Sequence, residues 1–307
     1  MQCTCRRRGG RRWRFLRPDA AANPSSINRG NFTEKEFEAM NFAFMSFSCP
    51  QATFAEMLAL AAQYGYDGVE PRAAGGHNHA VELEASAEQR AAFRAQAADA
   101  DIAICCLASG NRFADPADRD AQVEETLQYI DLAADIGAPT LRVFGGRIPE
   151  GISREAAISG VADALKRLAE RAGDRGVVVC METHDDWCTP ADVAAVMAQV
   201  DQPAIGVNWD AAHPVRTEGW TLPDSYSTLR RWIHHTHVHD VFIDAERPDY
   251  TAFGTGDVDH KQVMELLRGG GYEGYLSGEW INWEPTDVHL PREIATMRGY
   301  ERALSEL

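Results

Sequence analysis

A chain of 307 residues, 45% hydrophobic and 25% charged, has an ordinary globular composition and is long enough for one large domain or two modest ones. Its formal net charge of −16 is uneven: residues 1–40 carry nine Lys/Arg against four Asp/Glu, leaving 21 against 42, or −21, on the other 267. So acidic a body repels a phosphate backbone and argues against nucleic acid as a partner, and no apolar run approaches the roughly 20 residues of a membrane span.

Residues 1–39 are Arg-rich and turn-rich, without helical or strand periodicity, and are expected to be disordered. The segment lacks the apolar core of a secretory signal, although an Arg-rich, initially acid-poor start also fits a targeting peptide. The reading preferred here is a wrongly assigned start, with translation beginning at Met40. The seven cysteines, an odd number with no CxxC, suggest neither a disulfide framework nor a zinc ribbon. A soluble protein of the reducing cytoplasm is expected.

From Asn41 onward, short β-rich apolar runs alternate with longer stretches of helical spacing, the pattern of repeated β/α units around a parallel sheet. Strands are predicted at Asn41–Phe47, Gly68–Glu70, Ile102–Ala108, Thr140–Phe144, Val177–Glu182, Ile205–Asp210, Ile233–His239 and Gly274–Glu279. Between them lie amphipathic segments of helical spacing such as Thr53–Tyr64, Ser86–Asp99, Gln122–Ile136, Arg154–Arg175, Pro190–Val200 and Asp259–Leu267. Several open on Ser, Thr or Asp in N-cap position, and glycines mark the exits. Eight units of about 33 residues match a (β/α)8 TIM barrel, and no composition break divides them, so residues 40–307 are expected to be a single TIM-barrel catalytic domain. The competing open doubly wound sheet would carry a glycine-rich phosphate loop after its first strand; Ser46-Phe47-Ser48-Cys49-Pro50 stands there instead.

In such a barrel the active site lies at the C-terminal strand ends. Four predicted strands in succession end on an acid or imidazole: Glu182, Asp210, His237 and Glu279, separated by 28, 27 and 42 residues. One carboxylate alone reads as a helix cap or a partner for arginine. Four in one mouth would repel one another, and a divalent cation neutralises them. Three carboxylates with one nitrogen suit Mn2+, Mg2+ or Co2+ better than a structural zinc, though Zn2+ stays open. His235, His237 and His239 alternate and face one side of their strand. His237 sits at ligand depth, His239 nearer the rim as a substrate contact or surface residue, and His235 deeper. His235 or Asp240 is expected to fix the second nitrogen of the ligand imidazole.

These motifs, Glu182-Thr-His184, Asp210-Ala-Ala-His213, His235-Thr-His237-Val-His239-Asp240 and Gly271-Tyr-Glu-Gly-Tyr-Leu-Ser-Gly-Glu279-Trp, are supported by Gly-Val-Glu70 and Leu141-Arg-Val-Phe-Gly-Gly-Arg147. Taken in order, the chain resembles the sugar phosphate isomerase/epimerase group of the xylose-isomerase-like TIM-barrel superfamily over about residues 41–300. The resemblance implies one divalent metal, often manganese, magnesium or cobalt, on Glu182, Asp210, His237 and Glu279. It further implies that Glu182 and Glu279 take and return a proton on opposite faces of a sugar-like small molecule, and that His213 holds a substrate oxygen. Members often form dimers or tetramers, which leaves a homo-oligomer open, with no segment marking an interface.

The chain also departs from its relatives. Ketose 3-epimerases carry an acid six positions beyond the first metal glutamate and an arginine six beyond the metal histidine, where this chain has Cys188 and Ile243. The HxHxxD form ending in Asp240 is shared with inosose dehydratase-like members, so a lyase remains the alternative to an isomerase or epimerase. Beyond the metal set, His184 and Arg142 are candidate substrate contacts. Arg142 or Arg147 would meet a phosphate or carboxylate unless engaged in a surface ion pair. His77 and His79 follow the second strand and either line the mouth or, the preferred reading, lie in a solvated loop. Trp187, Trp209, Trp280 and Trp283 would either wall a sugar site or pack beneath loops. A DNA-repair endonuclease of the related apurinic-site family is a remote third reading, since strand-end histidines in the second and third units are lacking. A non-catalytic carbohydrate-binding module is the fourth, and it would need no opposed glutamates.

Overall fold

A computed structural model describes residues 39–243 and 250–306; the tail expected at 1–39 therefore lies, but for its last residue, outside the described residues. The chain runs β1 (Asn41–Met45), α1 (Phe54–Tyr64), β2 (Gly68–Glu70), α2 (Ala87–Asp99), β3 (Ala103–Ile104), β4 (Leu107–Arg112), α3 (Arg119–Ile136), β5 (Thr140–Phe144), α4 (Arg154–Arg175) and β6 (Val178–Glu182). It continues through α5 (Pro190–Val200), β7 (Ile205–Asp210), α6 (Ala212–Glu218), α7 (Leu222–Leu229), β8 (Ile233–Val238), β9 (Asp240–Val241), β10 (Tyr250–Thr251), α8 (His260–Gly269), β11 (Tyr275–Gly278) and α9 (Thr286–Ser305).

Nine parallel strands form one sheet in the order β3-β2-β1-β11-β8-β7-β6-β5-β4. β3 and β4 are two pieces of the third barrel strand, parted by Cys105-Cys106. β3 pairs with β2 and β4 with β5. The break falls where Thr140 Oγ1 donates to Cys105 O at 2.9 Å, a side-chain bond in place of a ladder rung. Beyond it, Arg72 bridges Ala108, with Ala108 N–H on Pro71 O and Ala73 N–H on Ala108 O, both 2.9 Å, and the ring closes on eight positions. The barrel prediction holds, with the third strand displaced and divided.

Local chemistry sets the element ends. Thr53 and Glu56 form a reciprocal capping box at the start of α1, and Ser86 and Gln89 another at α2, each satisfying two free backbone donors. Inside the ring, period-two alternation points Glu70, Arg142, Glu182, Asp210, His235, His237 and His239 away from the apolar layer between strands and helices. That outer layer, built from residues such as Leu107, Leu141, Val143, Val179 and Val207, is fully buried. Ala43, Cys105 and Cys106 pack separately, with Tyr275 against them. The five described cysteines are all free and buried, and no helix among the described residues is long and apolar enough to cross a membrane.

Candidate metal centre at the barrel mouth

Glu182, Asp210, His237 and Glu279 converge: one ligand atom from each lies within 4.8 Å of the others, and all four residues are buried. The barrel order explains the meeting. β11, β8, β7 and β6 are consecutive neighbours, and Asp210 pairs in register with His237. The two glutamates enter from the outer strands of this quadrant, and the aspartate and histidine from the inner two.

His237 Nδ1 lies 2.8 Å from Glu182 Oε1 and 3.2 Å from Glu279 Oε2, while its Nε2 lies 3.1 Å from Glu70 Oε1. Burial disfavours the imidazolium, but the carboxylates of Glu70, Glu182 and Glu279 raise His237 well above its ordinary range. The same balance, burial opposed by the charge of His237, holds Glu279 far below the usual carboxylate range. Asp210 is lowered too, by His239 and His213 against its burial. Glu182 Oε2 and Asp210 Oδ2 are buried without a hydrogen-bond partner, which is costly in a protein interior. Three carboxylates, one imidazole nitrogen and two buried oxygens that have charged neighbours but no hydrogen bond fit a divalent cation, and these residues can hold one.

Glu70 went unrecognised as a site residue. Its Oε2 accepts His235 Nε2 at 2.8 Å and its Oε1 faces His237, so this carboxylate, with His235 behind it, fixes the second nitrogen of the ligand imidazole. Charge from both histidines outweighs burial and holds Glu70 well below its ordinary pKa. Asp240, the other residue expected in this role, does something else. Its carboxylate accepts backbone N–H groups of Val241, Gly254, Gly256 and Val258 at 2.9–3.3 Å, tying down the segment after β10.

The substrate candidates fall in two places. His184, His213 and His239 form a run of edge-on rings beside the ligands, with centroids 4.5 and 5.6 Å apart, bounded by Phe144 and Tyr250. His213 Nε2 and His239 Nδ1 stand 3.7 and 3.4 Å from Asp210 Oδ2. Burial opposes charge on His184, yet Asp185 at 3.1 Å with Glu182 and Glu279 carries it up to about 9; burial lowers His213. Arg142 is 1% exposed. Its Nη1 donates to Ser109 O at 2.7 Å and its Nε faces Glu182 Oε2 at 3.3 Å, so the carboxylate it meets belongs to the protein.

Other expectations are corrected. Arg147 is exposed. His79 is 2% exposed, its Nδ1 accepting the Val81 N–H, so it lies beneath the loop; His77 bonds Ser46 Oγ at 2.8 Å. Trp187 and Trp209 are fully buried, with indoles donating to Gly146 O and Ser225 Oγ, and serve packing. Trp280 stacks on the partly exposed Trp283.

A profile of the xylose isomerase-like TIM barrel family matches residues 58–300. Inosose dehydratase of Klebsiella pneumoniae subsp. pneumoniae is 28% identical over 38% of this chain and 45% of its own length, so the match spans less than half of that relative. L-ribulose-5-phosphate 3-epimerase UlaE of Salmonella heidelberg is 24% identical over 80% of this chain and 88% of its own. Among solved structures, 3-keto-D-glucoside 4-epimerase YcjR from E. coli superposes with a TM-score of 0.69 at 18% identity, covering 85% of this chain and 99% of that one. With the strand order and the profile in agreement, the chain belongs to the xylose isomerase-like TIM barrel family.

Proposed function

We propose that this protein is a divalent-metal-dependent isomerase or epimerase of a sugar, sugar phosphate or keto-polyol, moving a proton next to a carbonyl. The observation that carries the reading is the strand order of the four ligands, with Glu182 and Glu279 at its two ends and Asp210 and His237 between them. Mn2+, Mg2+ or Co2+ suits this oxygen-rich set best. A divalent ion held by Glu182, Asp210, His237 and Glu279 would supply Lewis acidity, making a C–H beside a substrate carbonyl easier to deprotonate.

The chain's own groups do the rest. Glu182, steadied by Arg142 at 3.3 Å, takes the proton from one face as general base. Glu279, entering the step protonated, gives its own proton to the opposite face, so the stereocentre inverts and the abstracted proton stays on Glu182 until it exchanges with solvent. His184, His213 and His239 present ring nitrogens to substrate hydroxyls, with Phe144 and Tyr250 as the flanking rings. Residues 40–307 act as one catalytic domain, and the free, buried thiols agree with the cytoplasm.

A specific observation favours elimination as the second reading. Cys188 is 3% exposed and donates to Asp185 O at 3.2 Å, so it offers no hydroxyl contact where ketose 3-epimerases have an acid. An inosose dehydratase-like lyase would use the same centre.

The test is solvent deuterium incorporation followed by NMR, with Mn2+-loaded protein and a panel of ketoses, ketose phosphates and inososes. Label at a carbon of recovered substrate or epimer, lost in Glu182→Gln and Glu279→Gln, supports the isomerase. Product lacking water moves the assignment to the lyase. No exchange on any compound, with metal bound, sinks both.

A further inference from the structure

Outside the acidic quadrant, two arginines stand on one level, Arg142 beside it on β5 and Arg72 further round the ring past β2. Arg72, just past β2, bridges Ala108 of β4, and Ala108 is in register with Arg142 of β5. Residues in register on parallel strands share a face, and Arg142 meets Glu182 inside the barrel, so Arg72 projects inward as well. Gly110, two residues past Ala108 on that face, makes the room: a Cβ there would stand 2.8 Å from Nη2 of Arg72. Around the eight positions of the ring, β2 lies four places from β7, the strand of Asp210.

The two arginines are engaged differently. Arg142 has a carboxylate and a carbonyl in contact. Among the described residues, the Arg72 side chain donates to the adjacent Ala73 carbonyl and has no carboxylate in ion-pair contact. Burial first, and the neighbouring charge of Arg142 second, pull Arg72 down to about 10, so it still carries its charge at neutral pH. Tyr129, Glu279 and Glu82 oppose that shift, but no carboxylate among the described residues contacts the guanidinium, and its planar fork of donors matches the oxygens of a carboxylate or phosphate.

We propose that Arg72 forms an anion subsite across the mouth from the metal ligands, so that the substrate carries a carboxylate or phosphate at the end away from its reacting carbon. The reacting end rests on the proton-transfer reading above; the subsite itself is read by binding alone.

The experiment is calorimetric titration of Mn2+-loaded full-length protein, and of Arg72→Gln and Arg72→Lys, with D-fructose, D-fructose 6-phosphate and 2-keto-D-gluconate. Charge-assisted bonds to one guanidinium predict that an anionic probe binds the wild type roughly tenfold or more tighter than D-fructose. Arg72→Gln erases that preference, lowering affinity for the anionic probe far more than for D-fructose in a variant shown to be folded by circular dichroism, and Arg72→Lys restores part of it. Whichever anionic probe binds tighter distinguishes phosphate from carboxylate. Equal affinity for charged and neutral probes, or no binding of any, overturns the subsite. So does a preference that survives in Arg72→Gln, which would place the anion on the metal. Deuterium exchange on the same samples separates the two claims: anion-selective binding without exchange keeps the subsite and sinks the proton transfer, and exchange without anion preference does the reverse.

Discussion

The two halves of the barrel mouth are built on opposite electrostatic plans. From β6 round to β11, each strand ends on a buried acid or imidazole, and the carboxylates are close enough to require a shared positive charge. From β2 to β5, a level in register with Cys180, two residues below Glu182, carries two arginines, one paired with Glu182 and one that no carboxylate among the described residues contacts. One half gathers negative charge on a single point, which suits a divalent cation. The other leaves a cation facing it, which suits orientation of a charged substrate. Glu70 belongs by sequence to the second half and by contact to the first, because its carboxylate reaches His235 and His237 across the barrel.

The contrast breaks most completely if the glutamates prove dispensable. Glu182→Gln and Glu279→Gln are each expected to slow substrate deuterium exchange by about a thousandfold, the usual worth of a positioned acid or base, with the fold intact by circular dichroism. Next comes the crossing residue. Glu70→Ala frees His237 Nε2, and Mn2+ affinity measured by titration should fall about 10- to 100-fold; unchanged affinity would leave Glu70 a packing residue. Asp240→Ala sharpens the comparison from the other side. Removing an acceptor of four backbone N–H groups should lower unfolding stability by about 3 kcal/mol in urea titration, leaving Mn2+ affinity alone.

A smaller effect is expected with pH. Burial first, then the charge of His77, pull His79 down to about 4, below its unfolded value near 6.5. The unfolded chain therefore binds the proton first on acidification, and the stability His79 contributes is present above pH 6.5 and lost as pH falls to about 4. His79→Gln should flatten the stability profile in that window. An equal slope in the variant would assign the titration to other groups.

How much of this is legible in the sequence depends on where each residue's partner lies. α4, α5, β5 and β7 match their predicted bounds, because capping residues and apolar periods are local. The four strand-end ligands are legible for a related reason: a parallel barrel must put its polar residues at the C-terminal strand ends. Glu70 was not, since its strand is three residues long and its partners lie 165 and 167 residues away. Asp240 misled because its partners are backbone N–H groups 1–18 residues downstream, which leave no mark on side-chain identity. α9 is less legible, since Pro291 sits inside it, where proline removes a helical hydrogen bond. The short α6, with Pro214 in it, is less legible for the same reason.

The most direct test of the central claim is cobalt titration of chelator-treated protein, read by visible absorption and calorimetry together. One Co2+ per chain should bind, giving d–d bands that disappear in Asp210→Asn and His237→Ala while Arg72→Gln keeps them. Unchanged bands and stoichiometry in both ligand variants, or no cobalt bound by a folded wild type, would contradict the metal centre.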